Sequence, residues 1–147
     1  VSPMERNSIR VVNGLIRRVI ADRDLYGQAA RGVREPGLKA ILQESADSLT
    51  AIAAELQGEV SATGGRPATA GGPMSGVRRS MMEASAKLSS DPDVTYIRTL
   101  ELMERRLLDA FLKLESSSGD RAIVGRHIAR LRLLHLDMVH MGGATGR

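Results

Sequence analysis

The stretch TLELMERRLLDAFLKL, residues 99–114, decides how the chain folds. Its apolar residues recur every three or four positions, at Leu100, Met103, Leu107, Phe111 and Leu114. That spacing places them on one face of an α-helix. Glu104 falls inside the same face and Glu101 on its border. A carboxylate in an apolar stripe needs a partner, because an unpaired buried charge is very unfavourable. Whether that partner is a protein group or a metal ion is the functional question this helix raises.

The pattern extends outward in both directions. Just upstream, Ser90-Asp91-Pro92-Asp93 is a start signal: a capping Asp, a Pro in the first turn and an acid at the positive end of the helix. The helix is therefore predicted over 92–115. Residues 116–120 form a short break. The last helix is predicted over 120–141, with Val124, Ile128, Leu131, Leu134 and Met138 inward, joined by His127 and His135, while His140 points away. Gly142-Gly143 ends it.

Upstream lies a short helix, predicted over 77–88, with Met81, Met82, Ala84 and Leu88 to bury. Before it, GEVSATGGRPATAGGPMSG (residues 58–76) reads as a surface connection. The helix over 36–60 opens on Pro36 and turns Leu38, Ile41, Leu42, Leu49, Ile52, Leu56 and Val60 inward. Ser45 and Ser48 join them, and Glu44, Asp47 and Glu55 face away. The first helix, over 7–33, carries Ile9, Val12, Ile16, Val19, Tyr26, Ala30 and Val33, widened by Leu15 and Ile20. Asp22 and Arg23 stand at opposite borders of that stripe. Residues 1–6 and 142–147 are expected to lie outside the bundle, disordered and flexible respectively, and Met4 to be the natural first residue.

Composition agrees with packed helices. The only aromatics are Tyr26, Tyr96 and Phe111, so the core is built from Leu, Ile, Val, Met and Ala. A chain of 147 residues is expected to form one domain with a real core. Without cysteine there is no disulfide and no thiol chemistry. The net charge is +4, yet acids are interleaved with the arginines almost throughout, and Arg17-Arg18, Arg78-Arg79 and Arg105-Arg106 are isolated pairs. Nucleic-acid binding calls for a concentrated basic face, so no nucleic-acid partner is expected. No apolar run approaches the ~20 residues of a membrane span, and VSPMERN lacks the apolar core of a signal peptide. No membrane partner and a cytoplasmic location follow as expectations.

The two short breaks admit only antiparallel neighbours, so the long helices form two hairpins. A helix of about 26 residues is roughly 39 Å long, and the connection over 58–76 can extend to roughly 60 Å. It can cross the whole bundle, which lets the second and third long helices run parallel; simple up-down-up-down is the competing arrangement. With a crossover, Asp22, Ser45, Ser48, Glu101, Glu104 and His135 fall at similar depth and form one polar layer.

VNGLIRRVIADRDLYGQAA, REPGLKAILQESADSLTAIAAEL, GVRRSMMEASAKL, ELMERRLLDAF and the histidine of LLHLDM follow one another in an order and spacing that resembles the ferritin-like superfamily. More narrowly, they resemble a bacterial family of four-helix-bundle proteins described as a domain of unknown function. The resemblance spans about residues 10–140. It implies an all-α, antiparallel ferritin-like four-helix bundle over 7–141, with a long crossover (58–90) carrying one short extra helix between the second and third long helices.

The superfamily's chemistry is a pair of iron or manganese ions held by inward Glu residues and two Glu-x-x-His pairs. This chain departs from that pattern. Ser45-x-x-Ser48 offers no carboxylate or imidazole, and Arg132 stands three before His135. Carried over residue by residue, Asp22, Glu101, Glu104 and His135 are the metal-ligand candidates, too few for two ions. The residues taken alone favour a protein partner for Glu104, namely Arg23, His135 or Ser48. They favour a salt bridge from Asp22 to Arg18 or Arg23, a rim position for Glu101, and tyrosine hydroxyls satisfied at the core edge.

No serine carries a local nucleophile motif, and the glycines match no phosphate loop. The expectation is a stress-related or structural protein without catalytic residues or a resident cofactor, acting through homo-oligomerisation or a protein partner. The alternative is an iron- or manganese-binding oxidase, peroxide scavenger or iron handler.

Overall fold

Two prolines and two carboxylates set the helix starts. Pro36 occupies the first turn of one helix, and the Glu35 carboxylate before it accepts from the Gly37 and Leu38 amides at 2.9 and 2.6 Å. Pro92 begins another, capped by Asp91, whose Oδ1 accepts from the Val94 amide at 3.4 Å. These side chains satisfy amides that have no partner within the helix. The computed structural model describes residues 3–117, which form α1 (Pro3–Gly32), α2 (Pro36–Ala62), α3 (Ser75–Leu88) and α4 (Pro92–Ser117), with no strand among them. The helix predicted over 120–141, with His127, Arg132, His135 and His140, lies outside the described residues.

The predicted boundaries differ by two residues or more at four ends, one of them the end of α4 at Ser117, two residues into the predicted break. Helix α1 begins at Pro3, inside the segment expected to lack structure. Helix α2 runs into the low-complexity stretch as far as Ala62 and stops where the Thr63 hydroxyl donates to the Val60 carbonyl and Gly64 takes a φ of +83°. Helix α3 starts two residues early, at Ser75.

Helix α1 is the central element. It packs against α2, α3 and α4, burying Ile16, Val19, Ile20, Leu25, Tyr26 and Ala29 against Leu42, Leu49 and Ile52 of α2 and Ile97, Leu100, Leu107 and Phe111 of α4. The break between α1 and α2 makes them an antiparallel hairpin, closed by Lys39, whose Nζ donates to the Ala30 and Arg31 carbonyls at 3.2 Å. Helix α4 is also antiparallel to α1: Gly32 meets Tyr96, Tyr26 meets Glu104, and Val11 shares a groove with Lys113. Helices α2 and α4 therefore run parallel, and the connection between them crosses the length of the bundle.

That crossover is held to the surface of α1. A Cβ on Gly65 would stand 2.9 Å from Ile9 Cδ1 of α1 and 3.0 Å from Val60 Cγ1 of α2. Asn13 Nδ2 donates to the Arg66 carbonyl at 2.9 Å, and its Oδ1 accepts from the Ala68 amide at 2.7 Å. Gln57 Nε2 donates to the Ala68 carbonyl at 2.8 Å. Further on, Gly71 lies against the Ala21 backbone, where a Cβ would stand 3.1 Å from Cα.

Helix α3 buries one of the four residues expected, Met82, and leaves the other three exposed. Met82 and Ala86 are its buried side chains, whereas Met81 is 65 % and Leu88 90 % exposed and Ala84 is exposed too. Met82 and Ala86 are four apart and share a face; Met81, Ala84 and Leu88 lie on the opposite one. Gln28 Nε2 anchors the buried side by donating to the Arg79 carbonyl at 2.9 Å. In α2, Ile41 is at the edge of the core, 39 % exposed, not inside it.

Candidate functional site

Two of the buried polar side chains among the described residues, Asp22 and Glu104, lie on α1 and α4. Glu104 is inside the core, as its place in the stripe requires. One partner is a residue outside the three expected: the Tyr26 hydroxyl donates to Glu104 Oε2 at 2.8 Å; of the three, His135 lies outside the described residues. Tyr26 is buried, so its hydroxyl is satisfied in the centre of the bundle and not at its edge. Arg23 is engaged elsewhere, with its Nε and Nη2 donating to Asp24 Oδ1 at 3.1 and 2.9 Å. The sequence held part of the signal: a phenol in the α1 stripe must find an acceptor when buried, while the register that brings Tyr26 near Glu104 is set by the packing of α1 on α4.

Asp22 lies one turn before Tyr26 on α1 and is also buried. Burial pushes its carboxyl up from 3.8 to about 7; the positive charges of Arg78 and then Arg18 oppose the shift. Among the described residues neither Arg18 nor Arg23 closes an ion pair with Asp22; Arg18 acts at longer range and Arg78 arrives from α3, an element absent from the expected pairing. The Tyr26 hydroxyl is pushed well above its usual range by burial, then by the negative charge of Glu104 and the bond to it, and by Asp22. The three groups thus share one electrostatic environment.

The other members of the expected polar layer do not join them directly. Glu101 is at the rim and accepts from Arg105 Nη2, one turn on, at 3.2 Å. Ser45 is buried but gives its hydroxyl to the Ile41 carbonyl of its own helix, at 3.0 Å. Ser48 is half-buried. His135 lies outside the described residues. Among the described residues, no three of His, Cys, Asp and Glu gather into a group that could hold a metal ion. What the Tyr26–Glu104 pair does chemically is hold a proton between two oxygens away from water and fasten α1 to α4.

Two surface features complete the picture. A groove of about 430 Å³ between α1 and α4 has an apolar floor of Val11, Leu15 and Ala110, with Arg18, Arg106, Asp109 and Lys113 around it. On the outside of α3, Val77, Met81 and Leu88 are 47, 65 and 90 % exposed, and Met74, at its N-cap, is 56 % exposed. No described helix is long and apolar enough to cross a membrane.

A family model described as "Domain of unknown function (DUF2383)" matches residues 7–115, most of the chain and all four described helices apart from their outermost ends. No curated protein matches the chain.

Proposed function

We propose, from the premise that this chain belongs to the DUF2383 family, that it is a ferritin-like bundle acting through association with a second copy or a protein partner, without catalysis. The observation that carries the reading is the outer face of α3. Three large apolar side chains, Val77, Met81 and Leu88, stand exposed on one short helix, with Met74 exposed at its N-cap. A contiguous apolar patch of a few hundred Å² on a folded chain marks an interaction surface. The polar centre supports the same reading, because Tyr26 and Glu104 bind each other and tie two helices together. A bacterial source, a structural or stress-related role and a cytoplasmic location belong to this proposal through the resemblance set out above.

The test measures the mass of the full chain by light scattering and its cross-linked products in living cells. The parent is compared with a Met81→Glu/Leu88→Glu double variant. An assembly present in either setting and lost in the variant supports association. A chain that is monomeric in solution and uncross-linked in cells overturns it.

A second reading takes its support from the two buried carboxylates, Asp22 and Glu104, near one tyrosine. In it, Asp22, Glu101, Glu104 and His135 hold an iron or manganese ion. The described donors do not fit a two-ion centre, since Glu101 turns to Arg105 and Ser45 to its own helix. Metal analysis of protein purified without chelators decides: near-stoichiometric iron or manganese, lost in Glu104→Ala, would replace the first reading with this one.

A further inference from the structure

We propose that the outer face of α3 docks on the same face of a second copy, the two helices running antiparallel about a twofold axis between Met82 and Glu83. The proposal rests on the association reading and names its occupant. Val77, Met81, Ala84 and Leu88 follow one another at intervals of four, three and four, the spacing of a helix–helix seam. All four are exposed, and the buried pair Met82 and Ala86 lies across the helix from them.

The seam is symmetric about its own midpoint. Val77 stands as far before it as Leu88 stands after it, and Met81 and Ala84 flank it equally. A twofold axis there sets Val77 opposite Leu88 of the second copy and Met81 opposite Ala84, so the long side chain fills the space beside the short one. A parallel pair would instead oppose alanine to alanine and methionine to methionine, leaving a void beside a bulge.

The charges around the seam permit the same arrangement. Lys87 is paired with Glu83 of its own helix at 3.2 Å. Arg78 contributes its charge to Asp22, on the side toward the bundle. The residues bordering the seam on its two sides are Ser80 and Ser85. Antiparallel docking therefore sets Lys87 against Ser80 of the second copy and brings no like charges face to face. A stable interface buries about 800 Å² on each partner. A 14-residue helix supplies only part of that, so the dimer is a weak one that forms at micromolar or higher concentration.

The chain has no cysteine, which makes the test clean. Val77→Cys and Leu88→Cys chains are prepared separately and exposed to a mild oxidant, alone and mixed. The expected result is a disulfide-linked dimer in the mixture, at least tenfold more abundant than either self-linked product. Met81→Ser, at an exposed position, should keep the unfolding midpoint of the parent while weakening the dimer about tenfold or more by sedimentation equilibrium. A dominant Val77–Val77 link, a dimer indifferent to Met81→Ser, or no mixed link at a few hundred micromolar would each overturn the proposal. Loss of the mixed link together with a cross-linked partner of another kind in cells removes the second copy and leaves the association reading standing.

Discussion

Tyr26 and Glu104 show a buried hydroxyl meeting a buried acid across two helices. The phenol donates at 2.8 Å to a carboxyl in the core. Tyr26→Phe keeps the ring and removes that donor, so it should destabilise the fold by about 1–3 kcal/mol, as read from urea unfolding. Asp22 gives a pH signature. Its carboxyl titrates near 3.8 when unperturbed and at about 7 in the folded chain. Between those values the folded state keeps a proton that the unfolded state has released, so this contribution to stability is lost as pH rises from about 4 to about 7. Asp22→Asn has nothing to ionise. It should flatten that dependence and exceed the parent at pH 8 by on the order of 2–4 kcal/mol, as measured by unfolding at pH 5 and pH 8. The burial of Glu104 was legible in the 99–114 stretch. The Tyr26 hydroxyl that meets it was not, because which α1 side chain faces Glu104 turns on the relative rotation of two helices.

At the scale of the element, the starts of α2 and α4 were the most legible feature. Pro36 and Pro92 stand where only a first turn accepts them. The Glu35 cap was missed because Glu is not among the favoured capping residues, although its longer side chain reaches two amides here. Helix α3 was readable as a helix but not as to which way it faces. It carries one apolar pair, Met82 and Ala86, and one apolar stripe, Val77, Met81 and Leu88, and either could meet the bundle. Contact with α1 and α4 selects the smaller pair. The end of α1 offers a test of close packing. A Cβ on Gly32 would stand within 2.6 Å of Tyr96 Cζ, and Tyr96 is itself buried. Gly32→Ala should therefore displace the tyrosine and lower stability by about 1–3 kcal/mol despite the better helix propensity of alanine, as read from the thermal midpoint.

At the scale of the molecule, two polar side chains hold the topology together. The Asp93 carboxylate accepts from the Arg34 and Glu35 amides at 2.8 and 3.2 Å, fastening the α1–α2 turn to the start of α4. Asn13 pins the crossover through both its amide atoms. Asn13→Ala releases two backbone groups at once, so limited proteolysis should cut within residues 63–74 several-fold faster while the helical content by circular dichroism is unchanged. Loop length alone allowed both a crossover and a simple up-down arrangement. The contacts of Gly32 with Tyr96 and Tyr26 with Glu104 decide for the crossover within the described helices.

By itself the sequence determined that the chain is helical, where α2 and α4 begin, and that one carboxylate, Glu104, would lie in apolar surroundings. These are consequences of residue spacing along a single rod, a local property. The tertiary structure alone decided which hydroxyl answers Glu104, which arginine lies near Asp22, which face of α3 stays in water and how the crossover is held. Each of those depends on the offset and rotation of one rod against another, and shifts of a fraction of a turn change the partners without altering the periodicity of either.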